Sequence, residues 1–322
     1  MIDDTSEMMN EHLPAPPPLA RWVSPLAQDR FASGVLAARA PDGDLAAIRA
    51  HYDAFNRTRL DVACRLYPAR VEDDAIAGIP VVRVTPAGGT TNDRVLICLH
   101  GGAFMWGRGA GALVEAVPLA AVTGSQVIAV SYRLAPEHLF PAAVKDALAC
   151  YRALCAEHPS HTIGIFGCSA GGILTAQLVA RLIAERAPLP GALAMLHGTG
   201  LELDGDLAAL SGLLCGVPQS AVVPALASLP YFTGADPSDA LVFPGDHPAT
   251  LAHFPASLLI SGTRDFAAGA VATMHRRLLA AGRLADFVLF DGMWHAHHVD
   301  TDLPEARETF DIMARFFARH LG

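Results

Sequence analysis

The sequence predicts an α/β fold built on a mostly parallel, doubly wound sheet. The first observation is order: from about residue 94 onward, short strand-like apolar runs alternate with longer helical ones. The second is Gly164-Ile165-Phe166-Gly167-Cys168-Ser169-Ala170-Gly171-Gly172, where a Gly-x-Ser-x-Gly turn joins an apolar run at 162–166 to a helical pattern at 173–187. The third is the run at 94–99, apolar after Arg94, as a strand buried on both faces requires.

The elements follow in order. Residues 1–25 are polar and then rich in proline, and are expected to be extended or partly disordered. Helical patterns are expected at 28–39 and 43–57, the second with Leu45, Ile48, Tyr52 and Phe55 on an apolar face that must cover something. Strands are expected at 63–71, 79–85 and 94–99, then a helix at 110–122, a strand at 126–132 and a helix at 138–157. The serine turn with its strand and helix comes next, then a strand at 192–196 and a less regular region from 197 to 229. A strand at 257–261, a helix at 267–281, a strand at 287–290 and a helix at 303–319 complete the chain. No internal repeat is present.

Bulk properties bound the function. The chain has 322 residues, 52% of them hydrophobic and 17% charged, enough to bury a large core. A formal net charge of −9 argues against nucleic acid or an anionic membrane surface as partner. The acidic start, Met1-Ile2-Asp3-Asp4, lacks the basic flank and apolar stretch of a secretory signal, and no run approaches the roughly 18 apolar residues of a membrane span. A cytoplasmic chain is therefore expected. Its six cysteines show no framework spacing, and most should be small buried hydrophobes in a reducing compartment.

The serine turn carries chemical meaning because a hydroxyl becomes a nucleophile only when it is exposed, hydrogen-bonded to a base and close to oxyanion donors. A sharp strand-to-helix turn exposes Ser169 above the sheet edge, with Gly167 and Gly171 making room for the backbone. It also aims the Ala170 N–H, at a helix start, toward the space of a substrate oxygen. Cys168 flanks the serine, but the exposed site of such a turn is its central residue. His100-Gly101-Gly102-Ala103 ends the strand at 94–99, where adjacent glycines let two N–H groups turn toward one point. A histidine after the last strand, His295, is the expected base. Asp265, after the preceding strand, is the expected orienting acid. Asp291 lies too close to His295 to come from a separate strand end, and Asp286 begins its strand and faces the opposite rim. His297 and His298 extend a His-x-His-His cluster, read here as solvated loop histidines because no carboxylate or cysteine spacing nearby supports a closed metal site.

With these residues in place the chain resembles the bacterial esterases related to hormone-sensitive lipase, within the α/β-hydrolases. The resemblance runs from about Val95 onward. It rests on His100-Gly101-Gly102-Ala103-Phe104, the block from Tyr132-Arg133-Leu134-Ala135-Pro136 to Ala143, the serine turn with Gly172, Gly262-Thr263-Arg264-Asp265, and Gly292-Met293-Trp294-His295. It implies Ser169 as nucleophile, Asp265 as orienting acid, His295 as base and the N–H groups of Gly101, Gly102 and Ala170 as oxyanion donors. It also implies a helical cap: residues 1–58 and an insertion at 197–229, with the catalytic core at 59–196 and 230–322. The expected activity is hydrolysis of short- to medium-chain acyl esters without cofactor or metal. Lactone or amide hydrolysis, or ligand binding without catalysis on the same fold, stand as alternatives. The expected partner is a small-molecule ester, and the sequence leaves room for a homodimer. Departures from the family pattern are Ala103, Cys168, Gly269 and the pair Ala296-His297.

Overall fold

A computed structural model of the chain describes residues 15–34, 44–217 and 225–322. Its strands are β1 (Ala69–Ile76), β2 (Ile79–Pro86), β3 (Val95–Leu99), β4 (Gln126–Val130), β5 (Ile163–Cys168), β6 (Ala192–Leu196), β7 (Ala256–Gly262) and β8 (Ala285–Phe290). They form one sheet in the order β1-β2-β4-β3-β5-β6-β7-β8. β1 pairs antiparallel with β2, and β2 with β4; the remaining pairings are parallel. The doubly wound, mostly parallel sheet expected from the alternation is present, with an antiparallel hairpin at one edge.

Each central strand is buried on both faces, and its alternate side chains divide between two cores. Ile97, Leu99, Ile165, Leu193, Met195 and Leu259 join one core, with α4 (Ala142–Cys155), α5 (Ala170–Ala184) and α8 (Ala268–Ala280) supplying Leu148, Leu174, Leu178, Val271 and Met274. Leu96, Cys98, Phe166, Ala194, Leu258 and Ile260 join the other, with Leu119 of α3 (Ala110–Thr123) and Phe310, Phe316 and Phe317 of α9 (Pro304–His320). At about 1.5–3 kcal/mol per buried aliphatic or aromatic side chain, these two layers hold the sheet rigid under the site.

The N-terminal region departs from expectation. α1 spans Pro25–Ala32, capped by Ser24, whose hydroxyl accepts from the Ala27 N–H; the part of the expected helix at 35–39 lies outside the described residues, as do residues 1–14. α2 spans Leu45–Leu66 behind an Asp44 cap, starting within two residues of the expected helix but running on through residues read as the start of a strand. Pro68 explains where it stops, because the residue before a proline is pushed out of the helical region. β1 therefore begins later, at Ala69. The hairpin turns at Ala77 and Gly78, both at positive φ (51° and 78°), as a tight two-residue turn requires. The region read as irregular contains a further helix, α6 (Asp206–Cys215), closed by Gly216 in the left-handed conformation; residues 218–224 lie outside the described residues. A one-turn helix, α7 (Pro248–Leu251), precedes β7. No helix among the described residues is long and apolar enough to cross a membrane.

This architecture collects chemistry at one edge. The segments that follow the carboxyl ends of β3, β5, β6, β7 and β8 face the crevice where open parallel sheets bind ligands. In this chain those segments include His100, Ser169, His197, Asp265 and His295.

Candidate active site

Ser169 joins β5 to α5 with φ 55° and ψ −121°, a conformation costly for any residue with a Cβ. The surroundings enforce it. A Cβ at Gly171 would lie 1.7 Å from the Leu99 carbonyl oxygen, and one at Gly167 only 2.4 Å from the same atom, so α5 presses directly on β3 and leaves the serine protruding. The Ser169 N–H donates to the Leu196 carbonyl at 2.8 Å, and its own carbonyl accepts from Ile173 at 3.1 Å.

The loop after β3 lies against this turn. A Cβ at Gly101 would meet the Cys168 carbonyl oxygen at 3.0 Å, and one at Gly102, where φ is 112°, would collide with Trp106 at 2.3 Å. His100 holds the loop from below. Its ring stacks on Tyr132 at 4.1 Å, its Nδ1–H donates to the Gly101 carbonyl at 2.7 Å, and the Tyr132 hydroxyl donates to the His100 carbonyl at 2.6 Å. Burial, outweighing the Gly101 hydrogen bond and helped by the nearby Arg108, lowers the His100 pKa to about 4. The imidazole is thus neutral at physiological pH, as the Nδ1–H tautomer requires. Gly101, Gly102, Ser169, Ala170 and His295 all line one cavity of about 670 Å³.

Asp265 is fully buried and accepts four hydrogen bonds. His295 Nδ1–H donates to Oδ1 at 2.7 Å and the Ala267 N–H to the same oxygen at 2.9 Å. His197 Nδ1–H donates to Oδ2 at 2.7 Å and the Ser261 hydroxyl to it at 2.5 Å. Burial opposes ionisation, but His295 and His197 together hold the carboxyl well below the usual carboxylate range. Phe266 stacks on the His295 ring at 4.1 Å and fixes its plane.

The structure therefore gathers the sequence-predicted residues Ser169, Asp265, His295, Gly101, Gly102 and Ala170 at one edge of the sheet. Asp291 points elsewhere, accepting from Trp22 Nε1 at 2.9 Å, and Asp286 pairs with Arg319 at 3.3 Å. Two expectations need correction. His297 and His298 are not solvated: they are 0% and 1% exposed, because the short turn that carries them is packed between α3 and α9, with His297 Nε2 3.1 Å from the Thr309 hydroxyl. Of the six cysteines, three are buried, Cys155 and Cys215 are half-buried, and Cys64 on α2 is exposed; all are free thiols.

Two buried groups escaped the sequence reading. His197 follows β6 at the same edge where the residues after β7 and β8 supply Asp265 and His295, so the rule that located those two also reaches it. Burial, against the pull of Asp265, lowers its pKa to about 4. Glu115, 3% exposed, is a carboxylate in the middle of an otherwise apolar helix, α3, and that isolation was the available signal.

Tyr52 and Phe55 of α2 and Trp106 line the same cavity, Tyr52 stacking on Trp106 at 4.6 Å. The Tyr52–Phe55 half of the expected apolar face thus covers the cavity, while Leu45 and Ile48 are not in its lining. Arg59 of α2 and Arg30 of α1 both donate to Oδ1 of buried Asp300, at 2.8 and 3.0 Å, tying the N-terminal helices to the loop that follows His295.

A strained serine between strand and helix, a histidine held by a buried carboxylate and a glycine loop beside them define an α/β-hydrolase site. The family model described as the alpha/beta hydrolase fold matches residues 96–299, and the chain belongs to that family. An acetyl-hydrolase of Streptomyces hygroscopicus is 28% identical over 232 residues, covering 71% of this chain and 77% of that protein. Two solved structures are each 26% identical. Esterase E25 has a TM-score of 0.81, covering 96% of this chain and 98% of that one. An esterase of the bacterial hormone-sensitive lipase family has a TM-score of 0.80, covering 91% and 98%. The resemblance drawn from the motifs is borne out.

Proposed function

We propose that this chain, a carboxylic ester hydrolase of the α/β-hydrolase family, works through an acyl-enzyme on Ser169. The observation that carries the reading is the buried Asp265 carboxylate, which holds His295 Nδ1–H at 2.7 Å and so leaves His295 Nε2 unprotonated on the side of the cavity shared with Ser169.

His295 Nε2 takes the Ser169 proton as Oγ bonds to the ester carbonyl carbon. The negative charge that develops on the carbonyl oxygen is met by the N–H groups of Gly101, Gly102 and Ala170, already fixed by the loop and helix that carry them. The tetrahedral species collapses with cleavage of the carbon–oxygen bond, and the departing alkoxide takes the proton from His295. Water then gives a proton to the same nitrogen while attacking the acyl carbon; as the acyl–Oγ bond breaks and the acid leaves, His295 returns that proton to Oγ and restores the Ser169 hydroxyl. Asp265 stays ionised throughout and stabilises the imidazolium in between.

Substrate size follows from the walls. A cavity of about 670 Å³ with Tyr52, Phe55, Trp106 and Phe266 in its lining suits short- to medium-chain acyl groups rather than long lipid chains. The N-terminal helices and the segment around α6 act as its cap.

A phosphonate ester tests the assignment, since it forms a stable adduct on a serine activated in this way. Complete loss of p-nitrophenyl butyrate turnover with one adduct mapped by mass spectrometry to Ser169, and a folded Ser169→Ala variant losing about 10⁶-fold in kcat, are expected. An adduct on Cys168, or near-normal turnover by Ser169→Ala, would refute it.

A further inference from the structure

Behind Ser169 lies a second group of reactive side chains that ester hydrolysis does not use. Cys168 at the end of β5, Glu115 on α3 and His298 in the turn after His295 bring one sulfur, one oxygen and one nitrogen within 4.8 Å of one another. Their residues are 2%, 3% and 1% exposed. Among the described residues, Glu115 Oε2 and both ring nitrogens of His298 find no hydrogen-bond partner, an expensive arrangement for a buried carboxylate and imidazole.

The spacing is informative. His298 Nε2 and Glu115 Oε2 are 3.5 Å apart, well beyond the 2.7–2.9 Å of a charge-assisted hydrogen bond. Two metal bonds of about 2.1 Å at the tetrahedral angle leave N and O roughly 3.4 Å apart, so this separation matches one edge of a zinc coordination polyhedron.

We propose that Cys168, Glu115 and His298 form a binding site for a soft divalent cation of the zinc class. The donor set fits: thiolate and imidazole select zinc over magnesium or calcium, and one thiolate with one carboxylate balances a dication in a buried place. On binding, the Cys168 thiol gives its proton to solvent and its sulfur bonds to the metal. Glu115 and Cys168 line the substrate cavity, so the fourth position faces that space and takes a ligand from solvent or substrate, as in zinc sites with three protein donors. Asp265 with His197 and His295 is a second close-set group, but its facing atoms are already joined in hydrogen bonds of 2.7 Å.

The test uses the full chain, stripped with a chelator and then dialysed against zinc or cobalt(II), and reads binding rather than turnover. Wild-type protein is expected to retain one equivalent of zinc through gel filtration, and with cobalt(II) to show a near-ultraviolet sulfur-to-metal charge-transfer band. Cys168→Ala should lose the band, and Glu115→Gln and His298→Gln should each weaken zinc binding about tenfold or more. Failure of the wild type to bind zinc at micromolar concentration overturns the proposal, as does a cobalt complex without the thiolate band. Zinc retained by Cys168→Ala but lost in His197→Gln would place the ion on Asp265 instead and equally overturns it. Should Cys168→Ala fail to fold, the wild-type cobalt spectrum decides alone.

Discussion

Asp265 is asked to serve two histidines with one carboxylate, and that arrangement changes what its amide analogue should do. In Asp265→Asn only one side-chain atom accepts. The Ala267 N–H, which now donates to Oδ1, pins the carbonyl oxygen at that position, where it also accepts from His295. The amide NH₂ then faces Ser261, whose hydroxyl reverses to accept, and His197, which must change tautomer. His295 thus keeps its productive tautomer and loses only the negative charge. An ionised acceptor is worth about 1.5–3 kcal/mol, so kcat/KM is expected to fall roughly 10²-fold, not the ~10⁴-fold of a wrong tautomer. Steady-state kinetics of Asp265→Asn check this, and a 10⁴-fold loss would mean that His197 commands the carboxamide. At this scale the sequence was most legible where a residue follows a strand end or sits in a Gly-x-Ser-x-Gly turn, because position alone then determines placement. His197 obeys the same strand-end rule and was overlooked, whereas the burial of His298 beside Glu115 was not legible, since it depends on α3 and the turn before α9 converging from distant parts of the chain.

The elements that position the site differ in how they are anchored. β6 falls at 192–196 as read, since an apolar run between breakers admits one strand, whereas the end of α2 and the start of β1 were misplaced by several residues. A half-exposed helix followed by a strand with one face in water carries little contrast between its two periods, so local pattern could not locate the change. α2 is held instead by tertiary contacts, among them Arg59 on Asp300, which is 1% exposed at its side chain and also takes Arg30 of α1. Removing the acceptor should free Arg59 and leave Arg30 with Asp302 alone, loosening both N-terminal helices, of which α2 lines the cavity. Asp300→Ala is therefore expected to destabilise the fold by about 1.5–3 kcal/mol and to raise amide exchange selectively over residues 25–32 and 45–66. Turnover should fall more for butyrate or hexanoate esters than for acetate, whose acyl group does not need Tyr52 and Phe55. Hydrogen–deuterium exchange and a chain-length series measure the two effects; uniform exchange across the sheet would show that Asp300 supports the whole core rather than its cap.

For the whole molecule the buried histidines set the acid limit of stability. His100 titrates near its ordinary 6.5 in the unfolded chain and at about 4 in the folded one. Between those values the unfolded state binds the extra proton and the native state does not. Stability therefore rises with pH across that window, is fully present above about 6.5, and is lost progressively as pH falls toward 4. A shift of this size corresponds to about 3 kcal/mol at the acid end, a large share of the 5–15 kcal/mol typical of a whole domain. Buried His297, also held well below its ordinary value by burial and by the neighbouring histidines, adds in the same direction. Denaturant unfolding at a series of pH values should show the midpoint falling steadily from pH 6.5 to 4. In His100→Gln, which cannot titrate, the slope over that range should be shallower. Its stability at pH 7.5 should be lower, because glutamine cannot reproduce the stack on Tyr132. An unchanged slope in the variant would show that His100 is not the group that titrates, and that acid sensitivity arises elsewhere in the histidine cluster.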